Sequence, residues 1–192
     1  MIKITLNILF CFLTFFSFSQ ERPSQWAEKV TLSPFYNLYR IDEFVFRSEQ
    51  PSKRGMFVLD SLGYKSVLNL RNLRSDRWKA QKTKLRLYHK RINTWTISYE
   101  EMVLGVKELI LAPKPILVHC KHGSDRTGCI LAAYRIVQHG WSKEEAMKEF
   151  REGGYGFHEK WFKNILRLLE NINEEQLRKD VENAKIQGNK MN

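Results

Sequence analysis

The segment from His119 to Gly128 holds the residues of this sequence that are best suited to chemistry. It reads His-Cys-Lys-His-Gly-Ser-Asp-Arg-Thr-Gly, and it lies between a short apolar run at residues 115–118 and a sequence with a helical pattern. A strand, a tight turn and a helix N-terminus form an anion site, because backbone N–H groups converge there and the helix dipole favours negative charge. Cys120 would lie at the centre of that site, where the dipole and Arg126 stabilise a thiolate. The segment therefore predicts a nucleophile inside a phosphate cradle.

The other residues of the segment have predicted supporting roles. Arg126 carries the planar fork that binds two oxygens of a phosphate, and Thr127 can offer its hydroxyl to the sulfur. Gly123 permits a tight turn, and Gly128 would let the helix pack close to the strand. We expect His119 to orient the loop backbone. The predicted substrate-binding residues are Lys121, His122, Gly123, Ser124, Thr127 and Gly128. For Lys121 and His122, ordinary surface charge at the mouth of the site is the alternative.

This pattern of His-Cys, five residues and Arg-Thr-Gly resembles the signature of the cysteine-dependent protein tyrosine and dual-specificity phosphatases. Residues 46–52 (Phe-Arg-Ser-Glu-Gln-Pro-Ser) and 67–71 (Val-Leu-Asn-Leu-Arg) are also similar to segments of bacterial dual-specificity-like members. The resemblance covers residues 35–165. It implies a phosphatase fold and hydrolysis in two steps through a phosphocysteine. It implies neither a metal nor another cofactor, since the loop supplies the positive charge itself.

Strand-like and helix-like patterns alternate along the chain. They predict an α/β protein with the protein tyrosine phosphatase-like fold: a central, mostly parallel sheet flanked by helices, with a helical C-terminal third. A hairpin is predicted over residues 38–41 and 44–47, and further strands over 65–70, 85–92 and 115–118. Helices are predicted over 53–62, from a capping box at Ser98 and Glu101 to 111, and over 127–139, 142–152, 158–172 and 173–187.

The general acid of the reaction is the point at which this chain departs from the family it resembles. The family implies an aspartate on a separate loop before the cysteine, yet no aspartate lies between Asp76 and Asp125. Our principal candidate is Asp125, because related lipid phosphatases carry Asp at that position. An ion pair or a loop-fixing hydrogen bond is the alternative role for Asp125. Glu100 or Glu101 could also reach the site, although both are typical first-turn residues favoured by a helix dipole. Asp76 is predicted to cap a short helix.

Residues 1–19 have the composition of a secretory signal: a short positive start, an apolar run and small residues at a cleavage site. The apolar run is shorter than the ~20 residues of a membrane-spanning helix, and a retained anchor is the alternative. We therefore predict export to the periplasm or the medium. The predicted divisions after the signal are an extension over 20–34, a phosphatase domain over 35–172 and a charged C-terminal helix over 173–192.

Composition restricts the class of protein further. A hydrophobic content of 43% excludes a disordered chain, and three cysteines exclude a disulfide-dense scaffold. Cys129 is either a small buried residue or the partner of Cys120 in a reversible disulfide. The net charge of +11 favours acidic partners.

These observations predict a phosphomonoester hydrolase that works through a phosphocysteine. Its expected partners are phosphorylated proteins or small phosphomonoesters, with no nucleic acid, and membrane association only through an uncleaved signal or anionic lipid. The first alternative is a phosphoinositide or inositol phosphate phosphatase. The second is a phosphate-binding module that has lost catalysis.

Overall fold

A six-stranded mixed sheet forms the centre of the protein. The computed structural model describes residues 22–190, with side chains to residue 188, so the predicted signal lies outside the described residues. The strands are β1 (Glu28–Lys29), β2 (Tyr39–Arg40), β3 (Val45–Ser48), β4 (Ser66–Arg71), β5 (Arg86–Ile92) and β6 (Ile116–His119). Their order in the sheet is β1-β2-β3-β6-β4-β5.

Helices cover both faces of this sheet. They are α1 (Lys53–Ser61), α2 (Arg77–Ala80), α3 (Tyr99–Leu111), α4 (Asp125–Gln138), α5 (Lys143–Glu152), α6 (Lys163–Glu170) and α7 (Glu174–Lys190). The smaller core cluster joins α1 and α2 to Val67 and Leu117, whereas the larger one joins α3 to α7 to Leu68, Ile116 and Val118. Successive side chains of a strand point to opposite faces, so β6 contributes to both clusters. The predicted α/β fold is confirmed.

The four strands β3, β6, β4 and β5 run parallel to one another, as predicted for the centre of the sheet. In the register, Ser48 of β3 and Asn69 of β4 lie on either side of His119, the last residue of β6. Ligands of open α/β sheets bind beyond the carboxyl ends of such strands. The segments that follow these three residues therefore meet at one place.

The N-terminal edge of the sheet is antiparallel. The predicted hairpin is confirmed as β2 and β3, and the turn between them is held by Asp42 Oδ1, which accepts hydrogen bonds from the amides of Phe44 and Val45. The sequence predicted no strand in the extension over 20–34. The structure adds β1 there, paired with β2, and buries Ala27 completely.

Two helices differ from their predicted form. The helix predicted to start at residue 158 starts at Lys163, because residues 158–162 form a turn whose first amide is bonded to Asp125. Helix α7 was predicted as a charged C-terminal helix outside the phosphatase domain, but it buries Leu177 and Val181 in the larger core cluster. No helix among residues 22–190 is both long enough and apolar enough to cross a membrane.

Candidate active site

The junction between β6 and α4 forms the candidate active site. We call residues 120–126 the catalytic loop. Cys120 follows the fully buried strand β6 directly and is only 1% exposed. Helix α4 begins at Asp125, and the side chain of its N-cap residue, Ser124, makes no capping bond. The first amides of a helix lack intrahelical acceptors, so those of α4 are free to bind an anion.

The backbone of the catalytic loop is held with its carbonyl groups pointing outward. Each carbonyl oxygen of residues 120–123 accepts a hydrogen bond from a group outside the loop. The carbonyl of Cys120 accepts from His119 Nδ1 at 2.9 Å, and that of Lys121 accepts from the Gln50 amide at 3.1 Å. The carbonyl of His122 accepts from Asn37 Nδ2 at 2.8 Å, and that of Gly123 accepts from Arg47 Nη2 at 2.6 Å. The C=O and the following N–H of a trans peptide point in opposite directions. The amides of residues 121–124 therefore face the centre of the loop, which is the geometry of an anion-binding nest.

Two glycines allow the close approach of neighbouring elements. Gly123 has a φ of +75°, and a Cβ on it would lie 2.4 Å from the carbonyl oxygen of Ser48. The prediction that Gly128 brings the helix close to the strand is wrong. A Cβ on Gly128 would lie 2.2 Å from Cε2 of Phe150, so this glycine lets α4 pack against α5 instead.

His119 and Asp76 form a buried pair beneath the catalytic loop. Nε2 of His119 lies 2.8 Å from Oδ2 of Asp76, and Nδ1 faces the carbonyl of Cys120. The prediction that Asp76 caps a helix is wrong in one respect. Asp76 stands at the N-cap position of α2, but its carboxylate makes no capping bond because His119 and Gln50 occupy it. Burial alone would raise the pKa of Asp76, but the hydrogen bond and charge of His119 outweigh burial and lower it.

Arg126 and Thr127 present polar atoms that lack partners. Nη1 of Arg126 donates to the carbonyl of Ile92 at 3.3 Å, while its buried Nε has no hydrogen-bond partner among the described residues. The Thr127 hydroxyl is also buried and unpartnered within residues 22–188, so the expected bond to the Cys120 sulfur is not formed. Buried donors almost always have acceptors in native proteins. A bound phosphate would supply an acceptor to a guanidinium group such as that of Arg126.

Asp125, the candidate general acid, is buried and held by the turn between α5 and α6. Its Oδ1 accepts hydrogen bonds from the backbone amide and from Nδ1 of His158, both at 3.0 Å. The imidazole of His158 is 41% exposed and also contacts the ring of His122, with centroids 5.2 Å apart. Ser124 belongs to the same contact, since its hydroxyl donates to the carbonyl of Tyr155 at 2.6 Å. The 155–158 segment therefore lies against the catalytic loop.

The three side chains of His122, Asp125 and His158 also have the composition of a metal site, with potential ligand atoms within 4.8 Å of one another. Nδ1 of His158 already bonds the carboxylate of Asp125, and two cationic side chains, Lys121 and Arg126, lie near His122. The pKa of His122 is lowered by burial and then by the positive charge of Lys121, with His158 and Arg126 acting in the same direction. We therefore assign no metal to this cluster.

Neither glutamate on α3 contacts the catalytic loop through a hydrogen bond within the described residues. Glu101 closes the predicted capping box, because its Oε2 accepts from the Ser98 amide while its own amide donates to the Ser98 hydroxyl. Glu100 is exposed on the first turn. This geometry gives Glu101 a structural role and leaves Asp125 as the acidic residue in the loop itself.

Cys129 is the second cysteine of the described chain. Both cysteines are free, and Cys129 is fully buried in the larger core cluster. Burial raises the pKa of Cys129 to about 12, so this residue is a neutral thiol at physiological pH. Since the thiolate is the species that forms disulfides, the structure favours a packing role for Cys129.

Four residues near the site were not singled out by sequence reasoning. Three of them, Asn37, Arg47 and Gln50, hold loop carbonyls as described above. The fourth, Arg71, hydrogen-bonds Oε1 of Gln50, and its pKa is lowered by burial and by the neighbouring charge of Arg126. Three of the four, Arg47, Gln50 and Arg71, lie in the segments 46–52 and 67–71 that resemble the phosphatase family. The resemblance could have marked these three residues as part of the site, although it did not indicate which groups they contact.

The model of the family described as dual specificity phosphatase, catalytic domain, matches residues 46–172 of this chain. These residues include the whole catalytic loop. This chain belongs to the dual specificity phosphatase family. One relative to which this chain is similar is the dual specificity protein phosphatase TpbA of Pseudomonas aeruginosa, 33% identical over 137 residues. That match covers 70% of this chain but only 62% of TpbA, less than two thirds of its length.

Two further similarities are to proteins whose names or crystal structures include a phosphorylated ligand or substrate. The crystal structure of a P. aeruginosa TpbA variant in complex with pTyr superposes with a TM-score of 0.75 at 29% identity, and covers 85% of this chain and 99% of that one. The inositol diphosphatase DSP5 of Arabidopsis thaliana is 26% identical over 153 residues, 73% of this chain and 72% of DSP5. This chain thus resembles one protein crystallised with pTyr and another named as an inositol diphosphatase.

Proposed function

We propose that this protein is an exported phosphatase that hydrolyses phosphomonoesters of the phosphotyrosine type through a phosphocysteine on Cys120. The orientation of the catalytic loop carries the proposal. Four carbonyls are bonded on the outside, so the intervening amides face inward, and the loop runs from the buried Cys120 to Arg126, whose buried Nε lacks a partner among the described residues. Such a nest binds a tetrahedral anion and places a nucleophile next to its phosphorus.

Two displacements at phosphorus follow from this arrangement. In the first, the Cys120 sulfur attacks phosphorus while the bond to the ester oxygen breaks and the carboxylic acid of Asp125 gives that oxygen its proton. In the second, water attacks phosphorus, its proton passes to Asp125, and the phosphorus–sulfur bond breaks to release the thiolate. Throughout, the loop amides and Arg126 hold the non-bridging oxygens as their charge redistributes.

The two N–H groups of His158 that donate to Asp125 stabilise its ionised form, as the loop-fixing role requires, but the pairing also gives the proposed acid a source of protons. The carboxylate is buried within the loop, and His158 bonds it from a partly exposed position. As an imidazolium, His158 can pass its Nδ1 proton to Asp125 and be left as a neutral ring, which solvent reaches through its exposed part and reprotonates. The pair therefore offers a route by which Asp125 regains its proton between cycles.

We predict that Asp125→Asn lowers kcat/KM for alkyl phosphates by about 10²- to 10⁴-fold, the range for loss of a general acid. An aryl phosphate with a good leaving group needs no proton, so its hydrolysis should fall far less. The control is Asp60→Asn, which changes an aspartate that bonds the Lys84 amide. An equal loss on both substrates, or no loss on either, would remove Asp125 from the role of acid.

Two exposed aromatic side chains, Tyr36 and Trp95, are our candidates for contact with an aryl substrate. Tyr36 is 68% exposed and lines a cleft of about 320 Å³ together with His122, Ser124 and His158. Trp95 is 59% exposed, although tryptophan side chains usually pack in a core, and the centres of its ring and the Phe162 ring are 4.8 Å apart. Flat aromatic surfaces bind a phenyl ring by stacking. The similarity to TpbA, which has been crystallised with pTyr, agrees with this assignment.

An inositol phosphate is a second candidate substrate, favoured by Arg71. The pKa of Arg71 is lowered first by burial and then by the nearby positive charge of Arg126. Two guanidinium groups beside one loop could bind neighbouring phosphates on a sugar-like ring. The similarity to the Arabidopsis inositol diphosphatase is consistent with it.

A substrate panel tests the proposed function. We expect phosphotyrosine peptide to be hydrolysed with a higher kcat/KM than phosphoserine peptide, phosphoinositide vesicles or inositol phosphates. The control for each substrate is the Cys120→Ser protein. A preference for inositol phosphates would replace the first candidate by the second. Phosphate binding without turnover on any substrate would indicate the binding module.

Export is proposed from the sequence of residues 1–19 alone. We expect the protein recovered from the periplasm or medium to start near Gln20 when its N-terminus is sequenced. An intact N-terminus on cytoplasmic protein would contradict export without affecting the proposed chemistry.

A further inference from the structure

Arg47 is a buried arginine that the two displacements above do not use. It lies in β3 and is only 2% exposed. Its Nη2 donates to the carbonyl of Gly123 at 2.6 Å, and its guanidinium carbon lies 3.6 Å from the ring centre of Tyr155. Its Nε has no hydrogen-bond partner within the described residues. Arg47 therefore joins the sheet, the turn after α5 and the catalytic loop.

The charge of Arg47 has no carboxylate to neutralise it. Within the described residues no ion pair includes Arg47. The negative charge of Glu149 acts on Arg47 without a direct bond. The Glu149 carboxylate binds Arg135 instead, at 2.8 and 3.0 Å, and also accepts hydrogen bonds from the Ala27 amide and the Tyr155 hydroxyl. An arginine stays charged in proteins, and a buried charge without a counter-ion is costly. The fold therefore retains an uncompensated cation at this position.

The catalytic loop is the place where a counter-charge can arise. Burial lowers the pKa of Arg47, while the neighbouring Tyr155, Glu149 and Cys120 act in the opposite direction. Of these groups, only Cys120 lies where the reaction brings further negative charge, first as a thiolate and then as a bound phosphate. The bond to Gly123 places the guanidinium group directly behind the loop.

We propose that Arg47 is a positioning residue of the phosphatase site, which turns the Gly123 carbonyl outward and adds a fixed positive charge behind the anion cradle. The inference rests on the proposed function, since it assigns Arg47 to the same loop. Two consequences follow. Without the guanidinium group, the amide of Ser124 is no longer fixed toward the anion. Without the charge, the loop holds a thiolate or a phosphate less tightly.

The test compares Arg47→Met with Arg47→Lys in two measurements that require no turnover. The first is the affinity for inorganic phosphate, measured by calorimetry on proteins that also carry Cys120→Ser. The second is the rate at which the Cys120 thiolate is alkylated by anionic iodoacetate, divided by the rate with neutral iodoacetamide. The ratio reports the charge around the sulfur and cancels changes in thiol accessibility. The net-charge control is Arg40→Met, which removes an exposed arginine paired with Glu28.

We expect Arg47→Met to weaken phosphate binding about tenfold, as for loss of a charged hydrogen bond, and to lower the alkylation ratio severalfold. Arg47→Lys keeps the charge but not the planar fork, so it should weaken phosphate binding while preserving most of the ratio. Arg40→Met should change neither. If Arg47→Met does not fold, the same two measurements on Arg47→Lys test the proposal: weaker phosphate binding with a preserved alkylation ratio supports it.

A lower melting temperature with unchanged phosphate affinity and alkylation ratio would overturn the proposal, since Arg47 would then be a core residue only. Parent-like phosphate binding by Arg47→Lys would equally contradict the positioning role. Both readouts remain measurable in a chain that hydrolyses nothing. A failure of this inference is therefore distinguishable from a failure of the proposed function.

Discussion

Replacement of Cys120 by serine is expected to lower the hydrolysis of aryl phosphates by about four orders of magnitude or more, as for loss of a covalent nucleophile. A serine hydroxyl in the same place is not ionised at neutral pH. The loop amides and Arg126 are unchanged by this substitution, so inorganic phosphate should still bind. Initial rates and phosphate calorimetry on the same preparation measure both effects.

The chain offers a matched control for this substitution in Cys129. It lies on the first turns of α4, is fully buried, and has a pKa raised to about 12 by burial, so it contributes no thiolate. Cys129→Ser should retain the activity of its folded fraction, although a buried hydroxyl lowers stability. Comparable losses in the two folded variants would contradict the assignment of Cys120 as the nucleophile.

Arg126→Lys is the second substitution with a large expected effect, a loss of about 10²- to 10³-fold in kcat/KM, the range for removal of an electrostatic donor to a transition state. Lysine keeps the charge but lacks the two parallel N–H donors of the fork. Nε of Arg126 is buried and unpartnered among the described residues, which is the donor that a phosphate oxygen would occupy. Steady-state kinetics on an aryl phosphate measure the loss.

A suitable control for Arg126→Lys is Arg151→Lys. Arg151 is an exposed arginine on α5 that pairs with Glu159 at 2.8 Å. This control should leave kcat/KM unchanged. Activity of Arg126→Lys within threefold of the parent would show that charge alone suffices, and the proposed bidentate grip would be wrong.

Much of the fold could be predicted because its signals are local. The capping box of Ser98 and Glu101 sets the start of α3. The apolar run before Cys120 becomes the buried strand β6, and α4 begins at Asp125, two residues before its predicted start. The strand–loop–helix junction itself followed from residue types at fixed spacing, which is the kind of information that a sequence displays directly.

The contacts that hold the loop open were beyond such reasoning, because each joins residues far apart in the chain. Asp76 lies 43 positions from His119, Arg47 lies 76 positions from Gly123, and Asn37 lies 85 positions from His122. A sequence shows that a carboxylate or a guanidinium group is present but not which partner it meets. Asp76 was therefore assigned to the nearest helix start, where local pattern alone would place it.

The start of helix α6 was also mispredicted because it depends on a contact between residues far apart in the chain. Its predicted start at residue 158 followed the helical pattern, but the amide of His158 is bonded to Asp125, which lies 33 positions earlier. A tertiary hydrogen bond thus competes with the local tendency and moves the helix start to Lys163. The displaced turn brings His158 to the site, where it bonds the candidate acid.

The central claim is that a phosphoryl group is carried by Cys120 during turnover. The most direct test mixes the protein with an aryl phosphate, quenches the reaction in a neutral denaturant within the first turnover, and maps the phosphoryl group by peptide mass spectrometry. We predict a phosphoryl group on the peptide that contains Cys120, in an amount matching the initial burst of released phenol, and none in Cys120→Ser. Turnover with a burst but without phosphoryl on that peptide, or with the group on another residue, would contradict the account.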